Sequence, residues 1–278
     1  MRDSLKSGNE VVSLAKRRST RALPTNRTAP PVSNGPSPVD GVRNLLLAAL
    51  PAVDRDRLIP TLEVVPLKLK TFLHKPGEHV EFVYFPGGGF CSIVTVLEDG
   101  SMVEVATVGR EGMVGMTATL DDVPSAFASM VQGETDVCYR MTAKAYRREM
   151  EERGAFFDTI TRFSNAFVNV IMQFTACNAV HSVEQRLARW LLMAQDRMAA
   201  AEFPLTQEFV AMMLGANRST VTVVAGTLQK AGLITYRRGR VSVLDRDKLE
   251  SASCECYQTA TTLLQSVTAE DSRRTRAR

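Results

Sequence analysis

The chain has 278 residues, 45% apolar and 23% charged, with a net charge of +4. This is a soluble, globular composition with room for two modest domains, and its mild basicity suits a nucleic-acid partner without requiring one. No apolar run exceeds the six residues of Leu45 to Leu50, which ends at Pro51, far short of the roughly 18 residues of a membrane helix, so no membrane partner is expected.

Five cysteines at irregular spacing (Cys91, Cys138, Cys177, Cys254 and Cys256) make no disulfide framework, which points to a reducing, cytoplasmic setting. Arg2 and Lys6 are followed by no apolar segment of a signal peptide.

Residues 1–40 are rich in Ser, Thr, Pro and Asn and poor in large apolar side chains. Such a segment cannot bury enough surface to offset the entropy of ordering, so a disordered basic tail is expected. Its knot of Lys16, Arg17, Arg18 and Arg21 is a solvated cluster on that reading, or else a non-specific phosphate-contacting arm. A short helical pattern runs from Val42 to Pro60. The period then becomes two: Val65, Leu67 and Leu69 alternate with Pro66, Lys68 and Lys70, and similar short runs follow through Phe82, Tyr84, Ile93, Thr95, Val103 and Val105. Pro76-Gly77, Pro86-Gly87-Gly88-Gly89, Asp99-Gly100 and Gly109 punctuate them. Many short strands at that spacing predict an antiparallel β-roll over 41–153, with Asp99-Gly100 as a hairpin turn.

From Gly154 the pattern changes again. Phe156, Ile160, Phe163, Phe167, Val170, Phe174 and Cys177 step by 4, 3, 4, 3, 4, 3. Their mean step is close to the ~3.5 residues of a coiled-coil seam, so 154–180 is expected to be a dimerisation helix pairing a homodimer along this stripe. A core helix, with its period nearer 3.6, is the other reading. A second helical stretch from Val183 places Leu187, Trp190, Leu191 and Ala194 on one face.

Residues 204–244 carry the most specific signal. Thr206 is a good N-cap for a helix with an apolar stripe at Phe209, Val210, Met213 and Leu214. Gly215 stops it, Asn217 or Ser219 can cap the next helix, and Val221, Val224, Ala225 and Leu228 would face inward. Small Ala211, four residues before Gly215, and β-branched Val221, six after it, meet the demands of two closely crossing helices joined by a tight turn.

Two short strands around Arg237-Arg238-Gly239-Arg240 then make a wing. Over 204–246 six basic residues stand against two acidic ones, so the charge is concentrated where phosphates would lie. On this winged helix-turn-helix (181–260), Thr206, Asn217, Arg218, Ser219, Thr220, Thr222 and Val223 are the candidate groove-facing residues. Arg237, Arg238 and Arg240 are the candidate backbone contacts to double-stranded DNA. Residues 261–278 are expected to be a flexible tail.

The resulting α+β architecture, a β-roll, a long helix and a winged helix-turn-helix, resembles the Crp/Fnr family of bacterial regulators over roughly residues 42–260. The resemblance is carried by Leu205-Thr206-Gln207-Glu208, by Leu214-Gly215-Ala216-Asn217-Arg218-Ser219-Thr220-Val221 and by Leu228-Gln229-Lys230-Ala231-Gly232-Leu233-Ile234. Gly109-Arg110-Glu111-Gly112-Met113-Val114-Gly115 looks like the turn before that family's phosphate-binding cassette.

The resemblance implies a cyclic-nucleotide-binding-like jelly roll as sensor, DNA binding as output and RNA polymerase as a partner. It also implies an effector pocket near Gly109, Gly115, Met116, Ser125 and Phe127. Met116 stands where cyclic-AMP binders carry Glu, and Ser125, Ala126 and Phe127 occupy the region of their phosphate-binding Arg. A buried phosphate without a cationic partner is costly, so cyclic AMP is not expected to bind in the usual way. Arg218-Ser219 replaces the Crp-type Arg-Glu pair and Val223 the later base-reading Arg, so a different operator is expected.

Other constellations are weaker. His74 and His79, beside Pro76-Gly77, read as exposed loop residues, a haem-ligating histidine being the alternative that the resemblance raises. Gly87-Gly88-Gly89 lacks the following Lys-Ser/Thr of a triphosphate loop. Cys254 and Cys256 form a Cys-x-Cys with no histidine near them in sequence, so a structural or incidental role is expected, with no metal and no cofactor. No Ser/His/Asp arrangement is legible, which disfavours an enzyme acting in the N-terminal cleft. A further alternative is a cyclic-di-nucleotide or metabolite receptor whose helix-turn-helix mainly mediates protein contact.

Overall fold

A computed structural model describes residues 41–119, 123–198, 200 and 202–276, with side chains described as far as residue 268. The basic N-terminal segment lies outside the described residues. Among the described residues two short helices, α1 (Leu45–Ala49) and α2 (Ala52–Leu58), precede the first strand. Asn44 sets α1 in place: its side-chain oxygen accepts from the Leu46 and Leu47 amides, while its Nδ2 donates to the carbonyls of Pro86 and Gly112, both at 2.9 Å.

Seven strands follow: β1 (Glu63–Leu67), β2 (Phe72–His74), β3 (Phe82–Pro86), β4 (Phe90–Val96), β5 (Met102–Val108), β6 (Ala128–Gly133) and β7 (Thr135–Thr142). They pair antiparallel in a three-stranded sheet, β1-β7-β3, and a four-stranded sheet, β2-β6-β4-β5. Alternating side chains from both sheets (Val65, Val83, Phe85, Val94 and Val131) fill the core between them. Asp99-Gly100 makes the expected β4–β5 hairpin, with Gly100 at φ 80° and the Asp99 carboxylate accepting from the Ser101 amide. Gly89 closes the β3–β4 turn at φ 60°. A Cβ there would come within 2.2 Å of the Gly133 carbonyl, so only glycine fits.

After α3 (Ala143–Glu151) comes the long helix α4 (Ala155–Val180). The expected dimer stripe of Phe156, Ile160, Phe163, Phe167, Val170 and Phe174 is instead buried in this chain's own core, each residue no more than 5% exposed. Phe156 packs edge-on against Phe85 and Tyr146, and the Phe163 ring fills the space over Gly112. The N-terminal part of the stripe bolts the helix to the roll, and Phe174 at the other end lies under the Arg189 guanidinium of the next helix.

The opposite face of α4 is exposed. It carries a second stripe, Thr161, Asn165, Val168, Met172, Thr175 and Ala179, stepping by 4, 3, 4, 3, 4. Val168 and Met172 are 43% and 64% exposed.

Next come α5 (Val183–Met198), β8 (Glu202–Pro204), α6 (Gln207–Leu214), α7 (Arg218–Lys230), β9 (Ile234–Arg237), β10 (Arg240–Val243), α8 (Arg246–Ala252) and α9 (Cys256–Arg276). The segment expected as a flexible tail from residue 261 is thus helical. Tyr257, Ala260, Leu264 and Val267 form its buried stripe, and α9 runs along α4 to touch α1. No helix among the described residues is long and apolar enough to cross a membrane.

Polar contacts dock α5 on the roll and so position everything after it. Arg197 pairs with Glu111 at 2.7 Å and donates to the Thr107 hydroxyl at 2.7 Å; the Trp190 indole donates to the Glu104 carboxyl at 2.9 Å, and the Ser92 hydroxyl donates to its other oxygen. The two carboxyls respond oppositely. Burial would raise both, but at Glu111 the Arg197 charge and hydrogen bond outweigh burial and hold the group below its ordinary value. At Glu104 burial outweighs two neutral hydrogen bonds and more distant arginines, pushing the carboxyl up to about 7 from an ordinary 4.5.

The folded protein therefore keeps the Glu104 proton to higher pH than the unfolded chain. Its contribution to stability is full below pH 4.5 and is lost as pH rises through about 7. Glu104→Gln, neutral at every pH, is expected to remove this slope. In urea unfolding at pH 5 and pH 8 the unmodified protein should lose about 1–3 kcal/mol more than the variant. Equal losses would contradict the assignment.

Candidate nucleic-acid interface

The two-helix unit forms as its spacing requires. Thr206 caps α6 by accepting from the Phe209 amide. Gly215 ends it in the left-handed region at φ 56° and ψ 42°, its amide bonding back to Met212. The chain then turns through 107° into α7. Ala211 is buried, which allows the close crossing, and Val221, Ala225 and Leu228 seat α7 in the core. The helices are also pinned from outside: the Thr222 hydroxyl lies within hydrogen-bond distance of Gln207 Oε1 and the Arg218 carbonyl, and Arg186 donates to the Leu214 carbonyl.

The wing is the sheet β8-β10-β9. Arg237 pairs with Arg240 across the hairpin, leaving Arg238 and Gly239 as its two-residue loop at φ 50° and 73°. Positive φ at both positions is the geometry that matches strand twist in two-residue hairpins. The wing is tied to α6 and α7 by the Tyr236 hydroxyl, which donates to the Leu205 carbonyl, and by Gln229, which accepts from the Tyr236 amide.

Every predicted groove-facing residue is exposed: Thr206, Asn217, Arg218, Ser219, Thr220, Thr222 and Val223. Arg218, Ser219, Thr222 and Val223 share the N-terminal outer face of α7, with Val223 69% exposed. Asn217 sits at the N-cap position but makes no side-chain capping bond. Among the described residues Arg218, Arg237 and Arg238 form no ion pair. Arg240, also predicted as a phosphate contact, is instead paired with Glu202 on the neighbouring strand, because β8 places that carboxylate beside it. Arg246 likewise is held by Asp196 and Glu250.

In the roll, Gly115 takes φ 99° against Val80 and the Phe82 carbonyl, and Met116 opens the short turn Met116–Thr119. The Met116 sulfur lies 3.7 Å from the Ser164 hydroxyl on α4. Ser125 is buried and bonds to its own loop at Phe127, which is 40% exposed. Gly109 is covered by Arg197, whose side chain a Cβ would strike, so this member of the expected pocket is a docking point for α5. His74, expected in an exposed loop, is buried on β2 with Nε2 3.2 Å from the Ser129 hydroxyl, and burial pushes it down to about 4. His79 is exposed as expected.

An antiparallel roll, a long helix and a basic winged helix-turn-helix define the class: a two-part protein whose C-terminal part has the form of a DNA-reading module. Residues 185–252 match the family model of the Crp-like helix-turn-helix domain. Over more than two thirds of its length the chain has the fold of Crp/Fnr-type transcription regulators. FixK2 from Bradyrhizobium japonicum superposes with a TM-score of 0.58 at 16% identity, over 69% of this chain and 98% of its own. A CRP-family transcriptional regulator from Thermus thermophilus gives 0.56 at 21% identity, over 68% and 95%. The c-di-GMP-responsive global regulator CLP from Xanthomonas campestris gives 0.55 at 15% identity, over 69% and 99%. A search of curated proteins gives no match.

Proposed function

We propose that this chain is a homodimeric, sequence-specific DNA-binding transcription regulator, not an enzyme, and that it meets RNA polymerase at its promoters. The observation that carries the reading is the outer face of α7. Its inner side is locked by Val221, Ala225 and Leu228, while Arg218, Ser219, Thr222 and Val223 stand in solvent beside a cationic wing tip. Arg218 can pair with guanine O6 and N7, and the methyls of Thr222 and Val223 can meet thymine. Arg237 and Arg238 suit phosphates. Arg218→Ala should cost about 1–3 kcal/mol on one base pair and relax preference there. The Arg237→Ala/Arg238→Ala double variant should instead weaken all sites alike and lower the log–log salt slope by about 2. Binding to a selected operator across a salt series measures both; an unchanged slope, or undiminished discrimination, rejects the corresponding role.

Dimerisation is assigned to the exposed stripe of α4. In its 4–3 spacing Asn165 and Met172 fall at equivalent positions, with Val168 between. A polar Asn at such a position fixes the register of a parallel two-stranded coil, which would set both α7 helices toward one duplex, about one helical turn apart. Val168→Glu/Met172→Glu is expected to give a folded monomer by sedimentation velocity, since the two-fold axis brings like charges together. A dimer that survives these substitutions would place the interface elsewhere.

The roll is proposed not to be gated by cyclic AMP in the usual way. A thioether and an inward-turned hydroxyl, Met116 and Ser125, offer no charge to a phosphate at the two positions that matter by resemblance. Calorimetric titration should give no micromolar binding; a micromolar isotherm would overturn this part of the reading.

A further inference from the structure

Three of the five cysteines form a buried cluster of their own, apart from the main apolar core: Cys177, Cys254 and Cys256. The sequence alone offered Cys254 and Cys256 no histidine nearby. The fold supplies one. Cys177 and His181 lie four residues apart at the C-terminal end of α4, and Cys254 and Cys256 bracket the junction of α8 and α9, which packs against that end. Cys177 Sγ is 3.5 Å from Cys254 Sγ, Cys256 Sγ is 3.6 Å from His181 Nδ1, and all four donor atoms lie within 4.8 Å of one another.

We infer that Cys177, His181, Cys254 and Cys256 form a tetrahedral Cys3His site for one zinc-class divalent ion. Donors held about 2.0–2.3 Å from a zinc ion in a tetrahedron are roughly 3.5–3.8 Å from each other. Two of the separations already match, and the rest need only a contraction that side-chain rotation can supply. The surroundings suit bound thiolates better than packed thiols. The Gln173 amide donates to Cys256 Sγ at 3.1 Å, and Glu255 lies 3.3 Å from His181 Nε2, the nitrogen left over when Nδ1 binds metal. A carboxylate behind a histidine ligand fixes its tautomer and orientation.

Three thiolates and a neutral imidazole around a divalent ion leave one net negative charge. The guanidinium groups of Arg186 and Arg189, both buried, lie within electrostatic reach of these cysteines to answer it, and the Nε of each has no hydrogen-bond partner among the described residues. On binding, each thiol gives its proton to solvent as its sulfur–metal bond forms, with no change of oxidation state. The ion would clamp the end of the long helix to the segment leaving the wing. The inference stands independently of DNA binding.

The test uses the full chain purified in reductant. Cobalt titrated into metal-depleted protein is expected to produce the visible bands of a tetrahedral thiolate complex, saturating at one ion per chain and displaced by zinc. Cys254→Ser and Cys256→Ser should abolish those bands, and Cys91→Ala, remote in the roll, should leave them unchanged. Should the cysteine variants fail to fold, Glu255→Gln decides, because loss of the carboxylate behind His181 should weaken metal binding about 10–100-fold while sparing the fold. Absence of tetrahedral bands, affinity unmoved by Glu255→Gln, or a Cys177–Cys254 disulfide as the state of the reduced-purified protein would each overturn the site.

Discussion

The inward stripe of α4 is the constraint on which the rest of the structure depends. Four phenylalanines, one isoleucine and one valine on a single face are sealed against the roll and its neighbours. Burying each such side chain is worth about 1.5–3 kcal/mol, so the stripe is among the largest apolar contributions in the molecule. It fixes where the helix lies and so where α5 begins. Gly112 belongs to the same arrangement: a side chain there would collide with Phe163, and the roll could not close against the helix.

Polar chemistry then sets the winged helix-turn-helix on that frame. Trp190–Glu104 and Arg197–Glu111 are directional, so they fix orientation as well as distance. They hold α5, from which the helix-turn-helix hangs. The turn at Gly215 lies close to Val103 on β5, so the tight bend faces the roll and the outer face of α7 faces solvent. The wing's cationic tip is built from what the strands leave unpaired. Glu202 pairs with Arg240, while Arg237 ends β9 and Arg238 lies in the loop beyond it, and no carboxylate among the described residues pairs with either.

How far the sequence disclosed this differs by element, for physical reasons. The helix-turn-helix, the wing and the Asp99-Gly100 hairpin were legible because their signals are local: a capping hydroxyl, a glycine where φ must be positive, a β-branched residue at the crossing. The face of α4 was misread because core and coiled-coil periods differ by only ~0.1 residue per turn, which three heptads do not resolve. The more apolar stripe went to the core, and the more polar one, with Asn165, was overlooked. The helix α9 had a readable stripe in Tyr257, Ala260, Leu264 and Val267, obscured by the polar residues around it. His74 and the Cys254–Cys256 pair were beyond reach, since their partners, Ser129 and Cys177 with His181, are distant in sequence and only the fold brings them together.

In the proposed dimer α4 is one rod loaded on two faces. Rotation of α4 that improved contact between two protomers would drag Phe156 and Phe163 in their sockets by the same angle, and those sockets are part of the roll. Any rearrangement sensed on one side must reach the other as torque rather than as a local shift. The helix can therefore act as a driveshaft, and its stiffness sets how faithfully the turn is transmitted.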